Sequence, residues 1–228
     1  GGSTGLKNEL YALMKLISMD CSEAMKSYAG QILQNSVEVL LIKPPCSFTA
    51  GAIGSLARGE ATPYSDLEYF FLVKHKNPNT VKYFELLAVT SYFLMGNLGE
   101  TKLSYMAFGE LKCWFNDKAK NGFKIDGLSD GAGNIPTGNG SKGQKNHFIV
   151  TPSELADRYN HILLNPDPEE SLCGDLTAML AYTSPLYSYQ EGEADGDLLQ
   201  ELQSKMRTHG QNDLRRAANM AMLQTDAE

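Results

Sequence analysis

Two short apolar runs in the middle of the chain limit its fold more than any other feature. The first, SFTAGAIGS, covers residues 47–55 and consists largely of small residues, and the second, DLEYFFLV, covers residues 66–73. Short apolar runs bounded by turn residues are typical of buried strands. We therefore predict two strands, the first of which enters a tight turn. Because helical patterns precede and follow them, the predicted fold class is α+β.

Helical spacing of apolar residues predicts two helices before these strands, over residues 6–20 and 22–41. After the strands, Asn79 or Thr80 can cap a helix that runs to about Met95. This third helix is apolar on nearly all sides, which favours a buried position.

The second half of the chain contains two further strand candidates, GFKID at residues 122–126 and NHFIV at residues 146–150. Between them, residues 127–145 carry six glycines and form a predicted long loop near the acidic residues described below. Thr151 and Glu154 form a capping box that predicts a helix start. The remaining residues are mostly helical in pattern, with an acidic interruption, SPLYSYQEGEADGD, at residues 184–197.

These patterns divide the chain into four parts. Residues 1–5 resemble a cloning scar, residues 6–44 form N-terminal helices, residues 45–165 form the core with a small mixed sheet, and residues 166–228 form a C-terminal helical part. Because the chain stops inside a helical pattern, we expect it to be a fragment of a longer protein.

The composition excludes several classes of protein. The chain has 228 residues and a net charge of −7, which argues against a dedicated nucleic-acid-binding protein. No apolar run approaches the ~20 residues of a membrane span. The four cysteines form no zinc-binding cluster and no disulfide framework, so we expect reduced thiols and a cytoplasmic location.

Asp66 and Glu68 begin the second predicted strand and are two residues apart. Residues i and i+2 of a strand face the same side, so the two carboxylates should point together. They would repel each other unless a cation lies between them, and Mg²⁺ suits such a pair because it also accepts phosphate oxygens. A solvated strand edge is the structural alternative for this pattern.

The turn upstream of the acidic pair has features of a phosphate-binding site. Gly54 allows a phosphate to approach the backbone closely, and Ser55 adds a hydroxyl donor. Arg58 offers a planar fork that fits a phosphate or ties the turn to a carboxylate such as Glu60. A phosphate clamp opposite a metal clamp is the arrangement that nucleotidyl transfer needs.

The order of these features resembles a known family. GSLARGE followed by SDLE, with eleven residues between Gly54 and Asp66, is similar to the motif of the nucleotidyltransferase superfamily related to DNA polymerase β. The resemblance is to the branch with glutamine-synthetase adenylyltransferase and the DUF294 type, and extends to the domain of a bacterial effector that attaches AMP to a Rab GTPase. GFKIDGLSDGAGNIPTG, FIVTPSELADRY and, more weakly, LAYTSPLYSYQEGEADGDLLQEL extend it over residues 45–205.

The resemblance implies a sheet of the nucleotidyltransferase type and an Mg²⁺-dependent or Mn²⁺-dependent transfer of NMP, AMP from ATP, to a hydroxyl of a protein acceptor. It implies a location in the cytoplasm, or in the host-cell cytosol for a bacterial effector. The metal-binding and catalytic residues that it implies are Asp66, Glu68 and Asp126. The nucleotide-binding residues that it implies are Gly54, Ser55, Arg58 and Ser65.

One position departs from the family pattern. Glu68 stands where the adenylyltransferases carry a second Asp, and its side chain is one methylene longer. Mg²⁺ demands near-ideal octahedral geometry, so this difference affects the metal site directly. A catalytically silent domain that binds a partner protein is therefore the alternative function.

Overall fold

The computed structural model describes residues 2–62, 65–97, 124–125, 136–137, 147–164, 183–192 and 195–207. The described helices are α1 (Gly2–Leu40), α2 (Gly54–Arg58), α3 (Pro78–Asn97), α4 (Pro152–Leu164) and α5 (Leu198–Arg207). The described strands are β1 (Phe48–Ala52), β2 (Asp66–Leu67), β3 (Tyr69–Val73), β4 (Lys124–Ile125), β5 (Ile149–Val150) and β6 (Ser184–Tyr189). These elements confirm the predicted α+β class.

A small mixed sheet of four strands, in the order β5-β3-β1-β6, forms the centre of the fold. Strand β1 is antiparallel to both β3 and β6, whereas β3 is parallel to β5. Strands β2 and β4 form a separate two-stranded parallel sheet. The predicted small mixed sheet is thus confirmed.

Helices cover both faces of strand β3, and this explains its continuous apolar sequence. Tyr69, Phe71 and Val73 belong to a core that includes residues of α1 and α3. Phe70 and Leu72 belong to a second core that includes residues of α4 and α5. A strand that is buried on both faces needs no alternation of polar and apolar residues.

The N-terminal segment forms one continuous helix, α1, where the sequence predicted two. The predicted boundary near residue 21 is absent because no glycine or proline stands there to end a helix. Among the described residues, only the second part of α1 packs against the sheet. Met25, Ala29, Ile32 and Leu33 are buried there at helical spacing.

Two helix starts test the capping predictions. For α4, the Thr151 amide donates to the Glu154 carboxylate at 2.9 Å, and the Glu154 amide donates to the Thr151 hydroxyl at 3.3 Å, which confirms the capping box. For α3, the cap is Asn77, whose side-chain oxygen accepts hydrogen bonds from the amides of Asn79 and Thr80. The prediction of Asn79 or Thr80 as the cap was therefore wrong by two or three positions.

Strand β6 lies in a segment that the sequence suggested was only an interruption between helices. It pairs with β1 along residues Ser184–Tyr189 and forms one edge of the sheet. Helix α1 approaches its backbone closely, because a Cβ atom added to Gly30 would collide with the carbonyl oxygen of Leu186. These long-range contacts stabilise the strand, so the local sequence pattern does not predict it.

The described part of the chain contains no helix that is long and apolar enough to cross a membrane. Two of the four cysteines, Cys21 and Cys46, lie in the described part, and both are free thiols. The glycine-rich loop falls outside the described residues except at Pro136 and Thr137. The Pro136 carbonyl accepts a hydrogen bond from the Phe148 amide at 2.8 Å, and Thr137 forms a β-bridge with His147.

Candidate functional site

The turn after β1 is built around two glycines in the left-handed region of backbone conformation. Gly54 has φ 68°, and Gly59 has φ 74°. Gly59 ends α2 in a Schellman motif, in which the Glu60 amide donates to the Ser55 carbonyl at 2.9 Å and the Gly59 amide donates to the Leu56 carbonyl at 3.3 Å. Both positions favour glycine for reasons of backbone conformation.

A backbone hydrogen bond joins this turn to the acidic segment. The Ile53 amide donates to the Glu68 carbonyl at 3.0 Å, and the adjacent residues Ala52 and Tyr69 are paired in the β1–β3 ladder. Gly54 and Ser55 follow Ile53 directly in the chain. The antiparallel pairing of β1 and β3 therefore brings the Gly-Ser turn beside Glu68, although about a dozen residues separate them in the sequence.

The acidic segment is interrupted, where the sequence predicted one continuous strand. Leu67 ends β2, Tyr69 begins β3, and Glu68 lies between the two sheets. Leu67 and Tyr69 are buried, whereas Glu68 is partly exposed. The break lies where the pairing partner changes, because β2 pairs with β4 whereas β3 pairs with β1.

The backbone of Asp66 belongs to β2, but its side chain lies outside the described residues. The convergence of the Asp66 and Glu68 carboxylates therefore stays a prediction. Asp126 also lies outside the described residues. Its predecessor Ile125 pairs with Leu67 in the parallel β2–β4 ladder, and Leu67 is the predecessor of Glu68.

Arg58 forms a local ion pair, the alternative that the sequence left open beside phosphate binding. Its Nε atom lies 2.8 Å from the Glu60 carboxylate. The Arg58 side chain is 12% exposed, and that of Glu60 is 55% exposed. A surface pair of this kind contributes about 0–1 kcal/mol, so its main effect is to orient the guanidinium.

The two predicted nucleotide-binding serines have different surroundings. The Ser65 hydroxyl accepts a hydrogen bond from the Thr62 amide at 2.9 Å, and the Ser65 amide donates to the Thr62 carbonyl at 2.9 Å. Ser65 thus closes a turn just ahead of Asp66. The hydroxyl of Ser55 has no hydrogen-bond partner in the part of the chain that the structure describes, so it can donate to a ligand.

The linker between α2 and the acidic segment is attached to α1 through a residue that the sequence analysis missed. The Ala61 amide donates to the Ser22 hydroxyl at 3.0 Å, and that hydroxyl donates to the Ser18 carbonyl at 2.8 Å. Ser22 and Ala61 are both fully buried. A polar residue on the buried face of an amphipathic helix is the only sequence signal, and it does not identify the partner.

Burial shifts the pKa values of Tyr69, which follows the acidic segment, and of His147. The Tyr69 hydroxyl is buried and has no hydrogen-bond partner among the described residues, and burial raises the pKa of Tyr69 well above its usual range. Tyr69 is therefore a neutral core residue rather than a proton acceptor. Burial, followed by the charge of Lys76, lowers the pKa of His147.

No group of three His, Cys, Asp or Glu side chains that could hold a metal occurs among the described residues, which omit the side chains of Asp66 and Asp126. No protein-family model matches the chain, and no curated protein matches it.

Proposed function

We propose that this protein is a Mg²⁺-dependent nucleotidyltransferase that transfers NMP, and specifically AMP from ATP, to a hydroxyl group of a protein acceptor. The observation that carries the proposal is the hydrogen bond of 3.0 Å from the Ile53 amide to the Glu68 carbonyl. It brings a glycine turn suited to phosphate next to an acidic segment suited to a divalent cation. The sequence order resembles the nucleotidyltransferase motif, and this contact supports that resemblance.

The phosphate side of the proposed site consists of Gly54 and Ser55. Gly54 is buried and has a left-handed backbone, with φ 68°, and it begins the turn without a side chain. The Ser55 hydroxyl, which is partly exposed, would donate a hydrogen bond to a phosphate oxygen. Arg58 and Ser65 would support the site indirectly, because Arg58 pairs with Glu60 and Ser65 closes the turn before Asp66.

The proposed cation side consists of Asp66, Glu68 and Asp126. Their carboxylates are the hard oxygen ligands that Mg²⁺ prefers, so the donor set fits the ion chemically, and Mn²⁺ is an equivalent choice. The β2–β4 pairing supports this set, because the paired residues Leu67 and Ile125 directly precede Glu68 and Asp126 in the chain. When bound, Mg²⁺ supplies positive charge that neutralises the triphosphate and the leaving pyrophosphate.

In the proposed reaction, the acceptor hydroxyl oxygen forms a bond to the α-phosphorus of ATP. The bond from that phosphorus to the oxygen that bridges to the β-phosphate breaks, pyrophosphate leaves, and the hydroxyl proton passes to solvent. The chain contributes mainly by positioning the triphosphate against the turn and by holding its carboxylates in place. The net charge of −7 makes a nucleic-acid acceptor unfavourable, and the resemblance to the adenylyltransferases supports a protein rather than a small molecule as the proposed acceptor.

Incubation with labelled ATP, Mg²⁺ and a cell lysate, followed by detection of labelled protein, tests this proposal. The variants Asp66→Asn and Glu68→Gln should each lower labelling by about 100-fold or more, since loss of even an outer-shell partner of a metal costs 10–100-fold. Asp157→Asn is the matched control, because it neutralises an exposed acidic residue of α4. Equal labelling by Asp66→Asn and Asp157→Asn would falsify the metal-site assignment.

Gly54 and Gly59 provide a second matched pair, since both are left-handed and they flank the same short helix. Alanine at either position should cost about 1–2 kcal/mol of stability through backbone strain. Only Gly54→Ala should also weaken the binding of ATP, because Gly59 is at the opposite end of α2. Equal ATP affinities of the two folded variants would remove the turn from the proposed site.

Glu68 favours one alternative function, a silent nucleotidyltransferase-like domain that binds a partner protein. A hundredfold excess of ligand over its Kd stabilises a protein by about 2.7 kcal/mol, or about 5–11 °C in Tm for a chain of this size. A shift of this size with ATP and Mg²⁺, lost in Glu68→Gln and kept in Glu68→Asp, would support catalysis. Its absence with ATP, GTP, UTP and CTP alike would support the silent domain.

A further inference from the structure

Helix α1 reaches the candidate site through one buried hydroxyl group. Ser22 is 0% exposed, and its hydroxyl bridges the Ser18 carbonyl and the Ala61 amide at 2.8 and 3.0 Å. Ala61 is also 0% exposed, so this amide depends on Ser22 for its hydrogen bond. A buried amide that loses its acceptor costs free energy, and the surrounding chain shifts to satisfy it.

Ala61 lies in the linker, residues 59–62, between the Gly-Ser turn and the acidic segment. The Schellman hydrogen bond from the Glu60 amide to the Ser55 carbonyl fixes the start of the linker. The turn between Thr62 and Ser65 fixes the backbone just ahead of Asp66. The Ser22 hydrogen bond ties the middle of the linker to helix α1, and the Ala61 side chain packs in the core that contains residues of α1 and α3.

We propose that Ser22 is a positioning residue, which holds the linker at Ala61 and thereby orients the chain that leads into Asp66. This inference rests on the proposed nucleotidyl transfer. It gives the N-terminal helix a role in that reaction, through a contact between α1 and a residue 39 positions away in the chain.

The fold offers a closely matched control in Ser36. Ser36 lies in the same helix, is also 0% exposed, and also donates to the carbonyl four residues earlier, that of Ile32, at 2.7 Å. Its second contact is with the hydroxyl of Ser91 in α3 at 3.0 Å, far along α1 from the linker. Ser22→Ala and Ser36→Ala thus each remove one buried hydroxyl group from α1. The first hydroxyl binds the linker at Ala61, and the second binds α3 at Ser91.

The first experiment measures turnover and the apparent KM for ATP in both variants. Ser22→Ala should lower kcat by about 10–100-fold, because small displacements of positioned groups carry costs of this size. The apparent KM should change by less than about threefold, since the Schellman motif still holds the phosphate turn. Ser36→Ala should leave both parameters within about twofold of the wild type, and Ser22→Thr, which keeps the hydroxyl, should restore part of kcat.

Hydrogen exchange at the Ala61 amide is a second readout that does not depend on activity. Ser22→Ala should accelerate exchange of this amide by at least about tenfold at neutral pH, and Ser36→Ala should not. If the wild type transfers no nucleotide, the proposed function fails while the exchange result still tests the attachment of the linker. Equal kcat values for the two alanine variants, or unchanged exchange at Ala61 in Ser22→Ala, would overturn the role of Ser22.

Discussion

The two parts of helix α1 have similar apolar character in sequence and opposite surroundings in the fold. In the outer segment, residues 5–17, every residue is exposed, including large side chains such as Tyr11 at 73% and Leu13 at 55%. In the inner segment, residues 18–40, Ile32 and Leu33 are 3% and 2% exposed. Both segments repeat apolar residues at helical spacing, but only the inner segment has packing partners among the described residues.

The comparison separates helix formation from helix packing. The outer segment continues a helix that is already nucleated, so it needs no contacts of its own to be helical. The inner segment contacts β6 at Gly30, α3 at Ser36 and the linker at Ser22. Its contribution to stability and to the candidate site comes from these contacts.

The largest expected difference between the two segments is in hydrogen exchange. Amides of the outer segment should exchange after local fraying at almost no cost, because a free helix of about 12–15 residues is marginal in water. Amides of residues 25–37 should approach global protection, about 5–15 kcal/mol. Exchange measured by mass spectrometry on peptides from each segment provides the check, and equal protection would contradict the comparison.

Truncation of one leucine in each segment should show the next largest difference. Leu33→Ala removes a side chain that is 2% exposed and should lower the free energy of unfolding by about 2–5 kcal/mol. Leu13→Ala removes one that is 55% exposed and should change it by less than about 0.5 kcal/mol. Urea denaturation measures both values. A loss above about 2 kcal/mol in Leu13→Ala would mean that the outer segment is packed in solution.

Two of the glycines of α1, Gly5 and Gly30, should respond to alanine with opposite signs. Gly30→Ala places a Cβ against the Leu186 carbonyl and should destabilise the protein by about 1–3 kcal/mol. Gly5→Ala meets nothing within 4 Å and should stabilise the helix by up to about 1 kcal/mol. Thermal unfolding of both variants measures the difference. If Gly30→Ala were neutral, helix α1 and strand β6 would have to be further apart than described.

The smallest expected effect is a pH dependence of the protein's stability, which should be measurable as a change of hydrogen exchange in the inner segment. Burial lowers the pKa of His147 from its ordinary 6.5, so below that pH the unfolded chain binds a proton more readily than the folded chain. This contribution to stability is full above pH 6.5 and is lost as the pH falls towards the lower folded pKa.

Exchange in the inner segment, corrected for intrinsic rates, should therefore rise between pH 7 and pH 5, while the outer segment, already open, stays unchanged. The variant His147→Asn should reduce the rise. An equal rise in the variant would assign the pH dependence to other groups.

About half of the candidate site could be anticipated from the chain alone. The glycine at position 54 and the tight turn after the strand Phe48–Ala52 are local, and they follow from residues that are near each other in sequence. The ion pair of Arg58 with Glu60 was one of two alternatives that the sequence left open. The interruption at Glu68 and the attachment of Ala61 to Ser22 were not anticipated. Each of these depends on which strands pair or on which helix packs nearby, and sequence periodicity carries no information on either.

What the sequence determined by itself is the local structure: the buried strand Phe48–Ala52, the capping box at Thr151, and the helical character of α1. These follow from backbone conformation, capping and burial pattern within a few residues. Only the tertiary structure decided that Ser184–Tyr189 is a strand and that one part of α1 is buried and the other exposed. The physical reason is that strand pairing and helix packing derive their free energy from residues far apart in the chain, which meet only when the whole sheet has formed.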